Sequence, residues 1–229
     1  EIAIVVIGAL IASTLLRLFV AQMFVIPSGS MENTLLIRDR VMVQKVAGWS
    51  RGDVVVFRDT QGWLADPAEE TDPLRRTLIF IGLAPDESSN HLIKRVIGLP
   101  GDHVKCCDAQ GRILVNGQPL DEGTYLYATN GQTVAPSAYT FDVVVPKDRI
   151  WVMGDHRDNS QDSRCHLTEG TDGIAAFVPM ADVVGSAIAV VYPFDRWRNL
   201  PRPDTFASIP APTGAAPDKP VITGEIPRC

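Results

Sequence analysis

The segment His91-Leu92-Ile93-Lys94-Arg95-Val96-Ile97-Gly98-Leu99-Pro100-Gly101-Asp102 reads as a β-strand running into a tight turn. Its β-branched run is closed by turn formers, and Leu99-Pro100-Gly101-Asp102 carries Pro at the second position of a turn and Gly at the third. Strand alternation puts Leu92, Lys94 and Val96 on one face and Ile93, Arg95 and Ile97 on the other. Lys94 therefore shares a face with two apolar residues, an arrangement that permits a desolvated amine.

The same pattern extends in both directions. Short apolar runs bounded by Gly, Pro, Asp and Asn recur at residues 40–44, 53–57, 112–115, 141–145, 149–153 and 185–191. Such runs predict strands of an all-β domain, and Asn116-Gly117 after Val115 predicts a hairpin. Residues 59–90 are mostly polar, with three prolines, and predict an insertion loop in which residues 77–83 form a further strand. Residues 201–229 are Pro-rich with little hydrophobic periodicity and predict a disordered tail.

Residues 2–16 carry no charge; Arg17 interrupts, and Leu18-Phe19-Val20 resumes the apolar run. As a helix, residues 2–20 span about 28 Å at 1.5 Å per residue, close to the roughly 30 Å hydrocarbon core of a bilayer. Arg17, near one end, can snorkel to the headgroups. A cleaved secretory leader would carry a basic region ahead of the apolar stretch, and a buried core helix would show a polar face. The reading is a transmembrane anchor over residues 1–22, followed by a β-rich domain over residues 23–200. Orientation is not fixed by the residues themselves.

The 229 residues, 45% of them apolar, suffice for one substantial domain with a packed core. The net charge of −6 and the lack of any basic run argue against a nucleic-acid partner, because phosphate binding needs clustered Lys and Arg. Cys106, Cys107, Cys165 and Cys229 lack the spacing of a zinc site, so neither metal nor cofactor is expected. Cys106 and Cys107, being adjacent, are poorly placed to pair with each other. Either one of them pairs with Cys165, as suits an oxidising compartment, or the thiols are free.

Three further segments carry chemistry. Ile26-Pro27-Ser28-Gly29-Ser30-Met31-Glu32-Asn33-Thr34-Leu35 places a serine ten residues after Val20, a reach of at most about 36 Å from the apolar run. Gly154-Asp155-His156-Arg157-Asp158-Asn159-Ser160-Gln161-Asp162-Ser163-Arg164 is dense in side chains that hydrogen-bond locally, and reads either as a solvated loop or as a support for catalytic groups. Gly52-Asp53-Val54-Val55-Val56-Phe57 reads as a turn entering a strand. With residues 91–102, and in this order, these segments closely resemble the conserved boxes of the bacterial type I signal peptidases, over about residues 19–197.

That resemblance implies a single-pass anchor in the cytoplasmic membrane, with an all-β catalytic domain on its extracytoplasmic side. It implies removal of signal peptides from exported preproteins after small-x-small motifs, with the bilayer and those peptides as partners. By the match, Ser30 is the nucleophile and Lys94 the general base. Ser28 supplies a hydroxyl to the oxyanion hole, and Ser160 orients the lysine amine. Asp162 and Arg164 support the loop as an ion pair. Phe24, Ile26, Met31, Leu35 and Ile93 line small apolar pockets for the substrate's alanines.

Two residues depart from the family pattern. Asn33 stands where Pro is frequent, with an effect expected only on the local turn. His156 stands where Asn is common and neighbours the catalytic loop. A Ser-His-Asp triad is the rival reading, since His91, His103, His156 and His166 are available, but none sits in a nucleophile-elbow context. A self-cleaving Ser-Lys repressor would show a DNA-binding helix-turn-helix and no apolar anchor. A binding-only β module would have no use for Ser30. The dyad needs a lysine far from its ordinary pKa near 10.4, and burial supplies such a shift by disfavouring the charged amine.

Overall fold

The strand expected at residues 91–97 is present as His91–Gly98, in the interior of the largest antiparallel sheet. The computed structural model describes residues 1–64, 72–74, 90–167 and 172–223, apart from the side chains at positions 3, 6, 10 and 16–18. A helix, α1 (Ile2–Phe19), precedes the strands. In chain order these are β1 (Ala21–Val25), β2 (Arg40–Gln44), β3 (Val54–Arg58), β4 (His91–Gly98), β5 (His103–Cys106), β6 (Ile113–Val115), β7 (Gln118–Pro119), β8 (Ala128–Thr129), β9 (Gln132–Thr133), β10 (Phe141–Val144), β11 (Arg149–Met153), β12 (Val178–Pro179), β13 (Val183–Tyr192), β14 (Arg198–Asn199) and β15 (Val221–Thr223).

The larger sheet runs β1-β2-β13-β3-β4-β11-β12, with β14 added to β13; the second runs β15-β10-β5-β6-β7; β8 and β9 form a separate hairpin. The mainly-β expectation is met, and the strand runs at residues 40–44 and 149–153 coincide with β2 and β11. The turn after β4 passes the chain from one sheet to the other. The Asp102 N–H donates to Leu99 O at 2.9 Å, and Gly101 has φ +85°, the left-handed conformation that favours glycine at this turn position. Gly98 is equally constrained, since a Cβ there would lie 2.7 Å from Val104 Cγ2 and 3.0 Å from Val145 Cγ2. Asn116 (φ +53°) and Gly117 (φ +80°) make the two-residue hairpin between β6 and β7.

Three apolar clusters hold the sheets. Trp151, Phe141, Phe177 and Val143 centre the core of the second sheet. Val55, Phe57, Trp63, Val96 and Val152 cover one side of β3 and β4. Phe24, Ile26, Met31, Leu35, Ile93, Val54 and Val56 pack together on the other side. Burying each large side chain contributes roughly 1.5–3 kcal/mol.

The tail expectation fails for residues 201–223. Phe206 and Ile209 are buried in the second sheet's core, Phe206 stacks on Tyr125 with centroids 6.1 Å apart, and β15 pairs with β10. Two isolated apolar residues and a three-residue strand are too sparse to show periodicity, yet they complete a core built elsewhere. The cysteine expectation also fails: Cys106 and Cys107 form a disulfide with each other, across a cis peptide bond that brings their Cα atoms to 3.0 Å. The expected anchor boundary shortens too, because Ala21 and Gln22 already belong to β1, paired with Gln44 and Val43. Among the described residues, no helix is long and apolar enough to cross a membrane. The strand expected at residues 77–83, and most of the expected insertion loop, lie outside the described residues.

Candidate active site

Ser30 sits in the middle of a single 3₁₀ turn, Gly29–Met31. One such turn has little stability of its own, so its neighbours fix it. The Leu35 N–H donates to Met31 O at 2.7 Å and the His156 N–H to Ser30 O at 3.1 Å. Met31 and Leu35, on either side of the turn's exit, are fully buried. The Ser30 segment is thus fixed by its apolar residues, as Phe24, Ile26, Met31, Leu35 and Ile93 gather in one cluster. Phe24 retains the most exposure of the five, at 9%.

Lys94 lies in β4 opposite Val55, with Leu92 opposite Phe57 two residues away. Directly opposed residues share a face, so the amine rises among apolar neighbours. Its residue is 3% exposed and Ser30 is 7% exposed. Lys94 Nζ stands 2.7 Å from Ser30 Oγ. Burial pulls the amine down to about 8; Asp162 and Asp155 oppose that shift, and Arg164 assists it. A charged Lys94 donates to Ser30 Oγ, whereas a neutral one accepts the hydroxyl proton. Ser28 Oγ donates to Ser30 Oγ at 3.5 Å, so three of the expected groups converge on one point.

Ser160 departs from expectation, because Lys94 makes its hydrogen bond to Ser30. Ser160 Oγ is buried and, among the described residues, meets no partner at full hydrogen-bond geometry. It is near enough to Asp162 to help hold that carboxylate ionised, but the strict geometry is decisive, since a hydroxyl bond needs direction as well as distance. Ser160 packs instead on Gly154. A Cβ at Gly154 would collide with Ser160 Oγ and would lie 2.5 Å from Ser30 O, so glycine is what lets this loop close on the turn that carries Ser30.

Asp162 and Arg164 form the expected pair, at 2.8 Å through both Nε and Nη2. Burial pushes the Asp162 carboxyl up; the charge and hydrogen bonds of Arg164, with the Gly154 N–H, more than reverse this and hold it below the usual carboxylate range. The Gly154 N–H donates to Asp162 Oδ2 at 2.9 Å, so the pair fixes the residue that touches Ser30.

A second buried network escaped the sequence reading. Arg95 is bidentate on Asp155, at 2.8 and 2.5 Å, and also donates to Gly52 O at 2.6 Å. Thr34 Oγ1 donates to Asp155 Oδ2 at 2.5 Å. Tyr125 lies against the Arg95 guanidinium, 4.2 Å from ring centroid to Cζ. Arg157 is paired with buried Glu122 at 2.5 and 3.0 Å and donates to Gly154 O at 2.9 Å. Glu122 has no local signal in its sequence neighbourhood; Arg95 had one, as a charged residue alternating with apolar ones in a strand. Beside Arg95, Thr34, Tyr125 and Arg198 line a cleft of about 460 Å³ that includes neither Ser30 nor Lys94.

Asn33 reaches further than the local turn expected of it. Its φ of +79° is closed to proline, and its Nδ2 donates to Leu126 O at 3.0 Å.

A serine hydroxyl facing a buried amine, backed by a second hydroxyl and a rigid loop, is an arrangement that can support nucleophilic catalysis, here on an antiparallel β domain. The profile of the family described as signal peptidase, peptidase S26, matches residues 1–192, and the chain belongs to that family, as a type I signal peptidase. It is 36% identical over 220 residues to signal peptidase I of Mycobacterium tuberculosis (strain ATCC 25618 / H37Rv), covering 86% of this chain and 74% of the relative. It is 33% identical over 228 residues to the probable signal peptidase I of Mycobacterium leprae, covering 87% and 78%. A solved signal peptidase I from Enterococcus faecalis is 21% identical, and the match covers 62% of this chain and 97% of that one, with a TM-score of 0.36.

Proposed function

We propose that the protein removes N-terminal signal peptides from exported preproteins, cleaving after small-x-small motifs with Ser30 as nucleophile and neutral Lys94 as general base. The observation that carries this is the 2.7 Å contact between Lys94 Nζ and Ser30 Oγ, both buried. In this reading Lys94 takes the Ser30 proton as Oγ attacks the scissile carbonyl carbon, and returns it to the departing amine. Water then enters and attacks the acyl carbon while giving a proton to the Lys94 amine, and Lys94 returns that proton to Ser30 Oγ as the acyl–oxygen bond breaks, freeing the carboxylate product. The Ser28 hydroxyl donates to the oxyanion of each tetrahedral intermediate. In the same reading small side chains seat against the Phe24, Ile26, Met31, Leu35 and Ile93 cluster where it reaches the surface, at Phe24 and Ile93, with Met31 and Leu35 buried behind. Asp162 and Arg164 act at one remove, through Gly154, and Ser160 packs behind the dyad.

The bilayer belongs to the same proposal. Ile2, Ile4, Val5, Ile7 and Phe19 of α1 are all exposed by more than half, a density of apolar surface that calls for a lipid or protein cover. Its 18 residues reach about 27 Å. In this proposal α1, which by itself is not long and apolar enough to cross a bilayer, holds the β domain against the extracytoplasmic face of the cytoplasmic membrane, where it meets the cleavage site at high effective concentration. The test is incubation in detergent of a purified preprotein bearing Ala-x-Ala, with mass spectrometry of the products. Cleavage after the second Ala by the native protein and none by Ser30→Ala supports the reading; equal cleavage by both, or none by the folded native protein, contradicts it.

A further inference from the structure

His156 does more than neighbour the dyad. Its backbone N–H donates to Ser30 O at 3.1 Å, and its ring reaches across to the same turn. Nδ1 lies 2.7 Å from Glu32 Oε2 and 3.2 Å from Gly29 O. Both are acceptors, so the proton sits on Nδ1 and the ring donates to the nucleophile turn. Nε2 lies 3.3 Å from Asp158 Oδ1. The ring is stacked on Tyr127, with centroids 3.8 Å apart and planes 25° apart, and the Tyr127 N–H donates to Asp155 O at 3.1 Å. The imidazole thus has a fixed floor and a fixed direction. Glu32 for its part folds back over Gly29, where a Cβ would lie 2.9–3.1 Å from its carboxylate.

We propose that His156 is a positioning residue for the nucleophile: through Nδ1 it ties Gly29 O and the Glu32 carboxylate to the rigid 154–160 loop, and so holds Ser30 Oγ at Lys94. The inference rests on the reading of Ser30 as nucleophile. A single 3₁₀ turn relaxes readily when its external bonds go, and Ser30 is its central residue. The side chain is 12% exposed and Glu32 27%, so the latch lies at the rim of the site, clear of the reacting atoms. An asparagine at position 156 would present its Nδ2 about where Nδ1 stands, preserving the donor while losing the second ring nitrogen.

The test compares kcat and KM for Ala-x-Ala preprotein cleavage by the native protein, His156→Ala, His156→Asn, Glu32→Ala, the His156→Ala/Glu32→Ala double variant and Ser30→Ala. Thermal unfolding is recorded for each. Misplacing a reacting group by an ångström costs about a hundredfold in rate, and a partial loosening here is expected to lower kcat about ten- to a hundredfold in His156→Ala at unchanged KM. His156→Asn should recover most of that loss. The double variant should be no slower than the worse single one, as members of one latch are not additive. Native kcat in His156→Ala, no recovery in His156→Asn, or multiplicative losses in the double variant would overturn the proposal. Should His156→Ala not fold, Glu32→Ala carries the comparison: reduced kcat at native thermal stability supports the latch, and native kcat overturns it. Native activity in Ser30→Ala is a distinct result, which removes the nucleophile assignment itself.

Discussion

Lys94 and Arg95 are consecutive in β4, yet their charges part company: among the described residues Lys94 Nζ hydrogen-bonds only to a serine hydroxyl, at 2.7 Å, whereas Arg95 is bidentate on Asp155 at 2.8 and 2.5 Å. One strand step therefore separates a cation kept without a carboxylate partner in hydrogen-bond contact from one that is fully neutralised. The neutralised one is structural. Arg95→Ala strands a fully buried Asp155 carboxylate, and removing one partner of such a pair costs about 3–5 kcal/mol. Denaturant unfolding should show a loss of that size, with cleavage falling in proportion to the unfolded fraction.

The unpaired cation predicts the reverse. The folded-state pKa of Lys94, about 8, lies below its ordinary value of 10.5, so between those values the unfolded chain binds more protons and this residue's contribution to stability rises with pH. Below pH 8 the amine is charged in both states and its burial costs up to about 3 kcal/mol at 1.36 kcal/mol per unit. Lys94→Met is expected to be more stable than the native protein at pH 7 by up to that amount, while inactive. The advantage should shrink as pH rises from 8 towards 10.5, which urea titrations at several pH values would measure.

Ser28→Ala separates oxyanion stabilisation from nucleophilicity. Ser28 is exposed and only its 3.5 Å contact with Ser30 Oγ ties it to the site, so the fold should be unaffected. Loss of one oxyanion donor typically costs about 10²–10³ in kcat. Steady-state kinetics should show that loss; an unchanged kcat would remove Ser28 from the reaction.

Phe206 tests the ordered tail. It is buried against Tyr125, and Gly52 is kept free of a Cβ by its ring, which would lie 2.6 Å away. Phe206→Ala should destabilise the protein by about 3–5 kcal/mol, whereas a disordered tail would make the substitution silent in thermal unfolding.

What was legible in the chain was local. The alternation around Lys94, the Pro100-Gly101 turn and the Asn116-Gly117 hairpin each follow from neighbours in sequence, and the motif resemblance supplied Ser30 as Lys94's partner across 64 positions. The Glu122–Arg157 pair and the Tyr125–Arg95 stack were not legible, because each joins residues some 30 or more positions apart and nothing around Glu122 or Tyr125 signals a partner. Ser160 shows the converse: a motif position predicts a partner, but the direction of a hydroxyl is decided by packing on Gly154.

The most direct test of the account is kcat/KM for Ala-x-Ala preprotein cleavage as a function of pH, for the native protein and Lys94→Ala. This parameter reports groups on the free enzyme, and the base must be neutral to act. The account predicts a native rate that climbs about tenfold per pH unit up to an inflection at about 8, and a Lys94→Ala rate near background at every pH. A Lys94→Ala protein that keeps substantial activity at neutral pH, or a native profile flat from pH 6 to 9, would contradict the assignment of the amine as the base.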